Sequence, residues 1–146
     1  MKIFNKKASF DYELLEHFEV GMVLVGAEVK AARNGQVDLT GSFCRIIGNE
    51  LFLVNAKIFP YQFARPDTYD ERRTRKLLLH KKQIISLRSK IEGSNLTIVP
   101  VSVYTKGQLI KAELALAKPK KKFDKKETVK KRDIEREIAG ALKKRY

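Results

Sequence analysis

Tryptophan is missing from this 146-residue sequence, which holds one cysteine, two histidines and four prolines. The lone Cys44 makes no intramolecular disulfide, which suits a reducing compartment, and its neighbours Phe43 and Ile46 mark a packed strand thiol rather than a nucleophile. With His17 and His80 the only histidines, no metal-ligand spacing can be assembled, and neither a metal nor another cofactor is expected. His80 follows an apolar triplet and reads as a helix-start residue. There is no phosphate-cradling loop of the GxxxxGK(S/T) kind, and the stretch from Gly21 to Gly26 lacks the glycine spacing of a dinucleotide fingerprint. No apolar run approaches the ~20 residues that a membrane span requires. The first seven residues carry charge without an apolar stretch behind them, so secretion is not expected. These gaps argue against an enzyme, a membrane protein and a secreted domain, and leave a cytoplasmic binding protein.

Positive charge is what the sequence has in excess. Lys and Arg number 31 against 17 Asp and Glu, a formal net charge of +14. Half of that excess sits in residues 119–146, where twelve basic residues face five acids. The stretch Leu116-Ala117-Lys118-Pro119-Lys120-Lys121-Lys122-Phe123-Asp124-Lys125-Lys126-Glu127 is where patterned sequence stops and a basic segment without a core begins. The expected organisation is therefore one folded body, 1–118, and a basic tail, 119–146, disordered when free. From Thr128 onward Ile134, Ile138, Ala141 and Leu142 share a narrow helical stripe that Gly140 interrupts, at a cost of about 1 kcal/mol relative to Ala. Such a tail is expected to turn helical only where a polyanion neutralises it, and nucleic acid is the first candidate.

Taken in order, Phe10–Val20 alternates as a strand. From Gly21 to Gly35, Val25, Val29 and Ala32 fit a helical stripe, although Met22-Val23-Leu24-Val25 alone fits a strand; a short helix within Gly21–Arg33, closed by Asn34-Gly35, is preferred. Ser42–Ile47 and Glu50–Val54 flank Gly48-Asn49 as a hairpin. A long loop runs from Ile58 to Asp70, followed by a basic cluster and the apolar Leu77-Leu78-Leu79. Ile84, Leu87 and Ile91 keep helical spacing up to Glu92-Gly93-Ser94-Asn95. Leu96–Tyr104 and Leu109–Leu116 read as two strands, the second covering a core on one side through Ile110, Ala112, Leu114 and Leu116, with Pro100 at a bulge or an unpaired edge. Five or six antiparallel strands and two helices give a mainly β fold, a small antiparallel barrel of the oligonucleotide-binding kind with flanking helices.

Three basic clusters stand out: Lys2, Lys6 and Lys7; Arg72, Arg73, Arg75 and Lys76; and Lys118 with Lys120–Lys122. Any one alone is as well explained as a solvated face. Their interleaving with Tyr61, Phe63, Tyr69 and Phe123, which can stack on unpaired bases, favours RNA or DNA contact, and RNA above all because its folded forms present exposed loops. The pair Glu28 and Lys30 reads, on spacing alone, as ordinary surface charge. Rival readings are another barrel-fold translation or ribosomal protein, an RNA-processing enzyme, and a membrane-surface binder whose apolar stripe would be narrow.

Asn5-Lys6-Lys7-Ala8, Gly26-Ala27-Glu28-Val29-Lys30, Arg73-Thr74-Arg75-Lys76-Leu77-Leu78-Leu79-His80, and Leu116-Ala117-Lys118 followed by Asp124-Lys125-Lys126 resemble, in order and interval, the SsrA-binding protein (SmpB) family. The octet ending at His80 is the specific part of that resemblance; the Lys-rich junction alone is not. It implies a monomeric, non-enzymatic barrel protein. Members bind transfer-messenger RNA at its tRNA-like domain and bring it to ribosomes stalled without a usable stop codon, where the nascent peptide is tagged. Their tail becomes helical in the empty messenger channel and decoding centre.

Carried onto this sequence, the resemblance assigns Asn5, Lys6, Lys7, Glu28, Lys30, Arg73, Arg75, Lys76, Leu78, His80 and Lys118 to RNA binding. Lysines and arginines would meet phosphates, Glu28 would accept from base edges or orient a basic neighbour, and Leu78 would be either a contact or core support. Lys120, Lys121, Lys122, Phe123, Asp124, Lys125 and Lys126 would enter the decoding centre, with Lys130, Lys131, Arg132, Ile134 and Ile138 in the channel segment. Pro119 departs from the Gly usual after the Ala-Lys pair, which implies a stiffer hinge. Phe123 stands where other members have an aromatic residue or His, which keeps stacking but not imidazole chemistry.

Overall fold

The computed structural model describes residues 2–60 and 70–120. The expected stackers Tyr61, Phe63 and Tyr69, the hinge from Lys121 to Lys126, and the channel residues Lys130, Lys131, Arg132, Ile134 and Ile138 lie outside the described residues. Within them the order is β1 (Lys2–Phe4), α1 (Ala8–Asp11), β2 (Tyr12–Met22), α2 (Gly26–Arg33), β3 (Val37–Asp38), β4 (Phe43–Ile47), β5 (Glu50–Val54), β6 (Lys57–Ile58), β7 (Arg75–Leu78), α3 (Lys81–Ile91), β8 (Thr97–Lys106) and β9 (Leu109–Pro119).

Six strands close on themselves. Antiparallel pairing runs β8, β4, β5, β7, β2, β9 and back to β8, with β1 added to β8 beside its contact with β4, and β3 with β6 as a separate pair. The closed ring leaves few unpaired edges, and it places β7 and β8 on opposite walls, three strands apart in either direction. Inside lie Val20, Leu51, Leu53, Leu77, Ile98, Val103, Ala112 and Leu114, each at most 2% exposed. Full burial of such a Leu, Ile or Val contributes about 1.5–3 kcal/mol. Ala31 and Ala32 of α2 and Ile84 and Leu87 of α3 pack against the same core.

Several expectations hold for physical reasons that the structure makes explicit. The β4–β5 hairpin pairs Ile47 with Glu50 across a turn in which Gly48 takes φ of 63°, a left-handed value that glycine adopts without a Cβ penalty. Helix α2 ends at Asn34 and Gly35, and α3 buries Ile84 and Leu87 as their spacing requires. Pro100 sits at a bulge, the register shifting between Pro100 and Ser102, where a missing N–H is tolerated.

Others are corrected. Strand β9 covers apolar residues on both faces, because Ala115 and Ala117 on its outer face are also fully buried. Ala117 packs with Val99 and Ala8 beneath α1, with Tyr12 and Leu14 alongside; small side chains let α1 lie close on the barrel. The residues read as a basic cluster and apolar triplet contain β7, whose inward positions are Arg75 and Leu77. A charged residue in an inward register hid that strand from a hydrophobic alternation. Gly21 and Met22 extend β2 rather than starting a helix, and the helix α1, the edge strand β1 and the pair β3–β6 are too short to carry a period.

Candidate nucleic-acid interface

Glu28 stands in the first turn of α2, three residues after Val25, and its carboxylate reaches back to accept the Val25 N–H at 3.0 Å, satisfying one of the helix's open donors. The same oxygen accepts from Arg73 Nη2 at 2.6 Å, and the other accepts from Arg75 Nε at 2.6 Å. Glu28 is 1% exposed and Arg75 0%. The reading of Glu28 as ordinary surface charge is thereby corrected: the carboxylate occupies the inward stripe of α2 together with Ala31 and Ala32, and the charge is tolerated because it is fully paired. Burial by itself pushes the Glu28 carboxyl up, and the hydrogen bonds from Arg73, the Val25 N–H and Arg75 override it, so the group lies below its ordinary value.

Arg75 spends its remaining donors on backbone. Nη1 donates to Ala56 O at 2.7 Å and Nη2 to Glu71 O at 3.0 Å, while Ile58 N–H donates to the same Glu71 carbonyl. One buried guanidinium therefore ties α2 to both stems of the 58–70 loop. The Arg75 side chain has no exposed surface and orders the wall, whereas that of Arg73 is 42% exposed.

Strand alternation then sets what faces outward. Lys76 and Leu78 leave the ring on the side opposite Arg75 and Leu77. Among the described residues the Lys76 side chain makes only a long 3.4 Å pair with Glu50, both half exposed, which costs little to exchange for a phosphate. Leu78 is 54% exposed, so it belongs to the surface rather than the core, and it lies across Gly21, where a Cβ would come within 3.4 Å. Val23 and Val25 are exposed as well, and Val23 N–H donates to Lys76 O on β7. His80 occupies the N-cap position of α3, its carbonyl accepting from Gln83 and Ile84 and its ring exposed. An open groove of about 390 Å³ runs between Leu78, Leu79, His80, Gln83, Gly21, Glu19 and Lys111. Lys30 is exposed on α2. Exposed Leu78 and Lys76 share the outer face of β7, and within the groove Lys111 pairs with Glu19 at 3.2 Å; apolar surface beside basic side chains suits unpaired bases between phosphates.

The remaining expected residues are not beside this wall. Asn5 is buried against β8, Lys6 and Lys7 are exposed at the start of α1, and Lys118 pairs in register with Glu13 near the end of β9. The set named from sequence thus divides between two opposite walls. Gln83 and Lys111 of the groove were not singled out, although Lys111 is legible as the outward residue between Ile110 and Ala112. Among the described residues no group of three His, Cys, Asp or Glu is placed to hold a metal ion, and no helix is long and apolar enough to cross a membrane.

A closed antiparallel barrel with exposed apolar and basic side chains on one wall fits the class of small RNA-binding barrel proteins. Comparison with known proteins narrows it. The family described as SmpB protein matches residues 2–144. The SsrA-binding protein of Geotalea uraniireducens is 49% identical over 141 residues, covering 97% of this chain and 93% of that protein. Its counterpart in Carboxydothermus hydrogenoformans is 47% identical over 142 residues, covering 97% and 95%. A solved chain described under "tmRNA-SmpB: a journey to the center of the bacterial ribosome" is 43% identical with a TM-score of 0.69, covering 88% of this chain and 94% of that one. The chain belongs to the SmpB family.

Proposed function

We propose that this protein binds transfer-messenger RNA through the β7–α2 wall and delivers it to stalled bacterial ribosomes for trans-translation. The observation that carries the RNA-binding wall is Glu28: a buried carboxylate shared by Arg73 and Arg75 fixes α2, β7 and the loop stems as one rigid surface, so that Arg73, Lys76, Leu78, His80 and Lys30 meet the RNA without reorganising. Basic side chains neutralise phosphates and supply the salt-dependent part of binding. Leu78 covers an unpaired base or sugar. Glu28 and Arg75 act by orienting, not by touching.

The body is the RNA-binding part and the basic tail acts in the decoding centre and messenger channel, the protein working as a cytoplasmic monomer without chemistry of its own. Family membership and the division of charge between body and tail support this reading. Binding of the intact chain to a folded tRNA-like RNA across a salt series, with an unstructured RNA as competitor, tests it. Competitor-resistant binding that Leu78→Ala weakens supports the wall; binding that ignores the RNA fold and responds to salt alone overturns it.

A further inference from the structure

Asn5 was expected to touch RNA, yet its side chain is nine-tenths buried and its donors are all turned inward. The backbone N–H donates to Val101 O at 2.8 Å and Nδ2 donates to Pro100 O at 2.9 Å. These two carbonyls belong to the β8 bulge. The amide orientation follows from the chemistry, since the reverse placement would set Oδ1 against a carbonyl. Among the described residues Oδ1 has no partner, and the contacts of the position are made by its donors. Asn5 O then accepts from Ala8 N–H, which opens α1, and Ala8 packs on Val99 and Ala117.

The other end of α1 holds the last described residue. Pro119 faces Tyr12 at the end of the β2–β9 ladder but has no N–H to give. Lys120 donates in its place: its N–H reaches Asp11 O at 3.0 Å and its Nζ reaches Ser9 O at 2.7 Å. Two donors from one residue onto one four-residue helix fix both the position and the heading of the chain there. Twenty-six residues follow, so the heading of the chain at Lys120 is the starting direction of the tail.

We infer that α1, fastened to the β8 bulge by Asn5 and closed onto Lys120, sets the direction in which the basic tail leaves the barrel, and that Asn5 and Lys120 are positioning residues for tail-dependent tagging rather than RNA contacts. This rests on the reading that the tail acts in the decoding centre.

The test compares full-length wild type, Asn5→Ala, Lys120→Ala, Lys120→Arg and a tail control, Lys130→Glu with Lys131→Glu and Arg132→Glu. Each is measured for affinity to tRNA-like RNA and for peptide tagging on stalled ribosomes. Asn5→Ala and Lys120→Ala are expected to hold RNA affinity within about twofold while tagging falls about tenfold, the loss expected when pre-organisation is removed; Lys120→Arg, which keeps a donor for Ser9 O, restores it. Spin labels on Ser86→Cys and Lys122→Cys, with buried Cys44 left unlabelled, should give a distance distribution that widens in both alanine variants. Should Asn5→Ala fail to fold, Lys120→Ala on the surface carries the same expectation. Parallel loss of RNA affinity and tagging would return Asn5 to RNA contact and overturn the inference. Full tagging and an unchanged distance width in the alanine variants, with the tail control inactive, would overturn the clamp alone. Full tagging by the tail control would overturn the tail reading itself.

Discussion

Two opposite walls of the barrel are held by different chemistry. On the β7 wall, order comes from buried charge: Glu28 accepts from Arg73, Arg75 and a backbone N–H, and Arg75 reaches two carbonyls beyond it. On the β8 wall it comes from single hydrogen bonds to backbone carbonyls, donated by the Asn5 amide, by Ala8 N–H of α1, and by the N–H and Nζ of Lys120. A donor removed from a backbone carbonyl forfeits about one hydrogen bond, and where that carbonyl is buried, as at Pro100 O, the orphaned acceptor costs about 1–3 kcal/mol. A buried carboxylate that is removed leaves an uncompensated guanidinium in the barrel. Losing one partner is therefore costlier on the first wall than on the second.

The largest expected effect tests that contrast directly. Glu28→Ala should destabilise folding by about 3–5 kcal/mol, as breaking a buried pair does, and abolish RNA binding with it; denaturant titration and RNA binding check both. Acid should act through the same group. Glu28 is depressed below its ordinary value of 4.5 in the folded chain, so its contribution to stability is present above that value and lost as pH falls through the folded value. Glu28→Gln should flatten that acid limb. An unchanged acid profile in the variant would mean that the pair does not hold the wall.

How much of this was legible follows from the same chemistry. The β4–β5 hairpin, α3 and the Pro100 bulge could be read because Gly48-Asn49, the Ile84–Leu87–Ile91 spacing and a proline within a strand are local signals. Strand β7 could not, because Arg75 takes an inward place that an alternation rule assigns to an apolar residue. Glu28 misled for the same reason: a buried ion pair is defined by residues more than forty positions apart, and spacing along α2 contains nothing about Arg73 or Arg75. The resemblance assigned both to the RNA-binding body, but as contacts of equal standing with Lys76. Asn5 was named with them, and the ring order separates it by three strands.

Outward residues of the β7 wall should show the complementary pattern, with binding lost and stability kept. Leu78 is more than half exposed, so Leu78→Ala should leave the thermal midpoint in place and weaken RNA binding by about 1–2 kcal/mol, the value of the apolar area that RNA covers. A fall in midpoint comparable to that of Glu28→Ala would move Leu78 into the core and erase the distinction between holding and touching. Lys76→Ala should do less at physiological salt, and its signature is a salt slope shallower by about one, the count of a single phosphate contact.

The smallest effect separates the wall from general surface charge. Lys90 on α3 pairs with Glu16 on β2 at 2.7 Å, both side chains about half exposed. Lys90 belongs to the same barrel and adds to the same net positive charge as Lys76, but neither it nor Glu16 lines the groove of Leu78 and His80. An exposed pair of this kind contributes about 0–1 kcal/mol. Lys90→Ala should therefore change stability by about 0.5 kcal/mol or less and leave the salt slope of RNA binding unaltered, because a lysine that binds no phosphate releases no counterion on association. If Lys90→Ala and Lys76→Ala flatten the slope equally, the RNA reads the barrel as a uniformly charged body, and the wall ordered by Glu28 has no privileged part in binding.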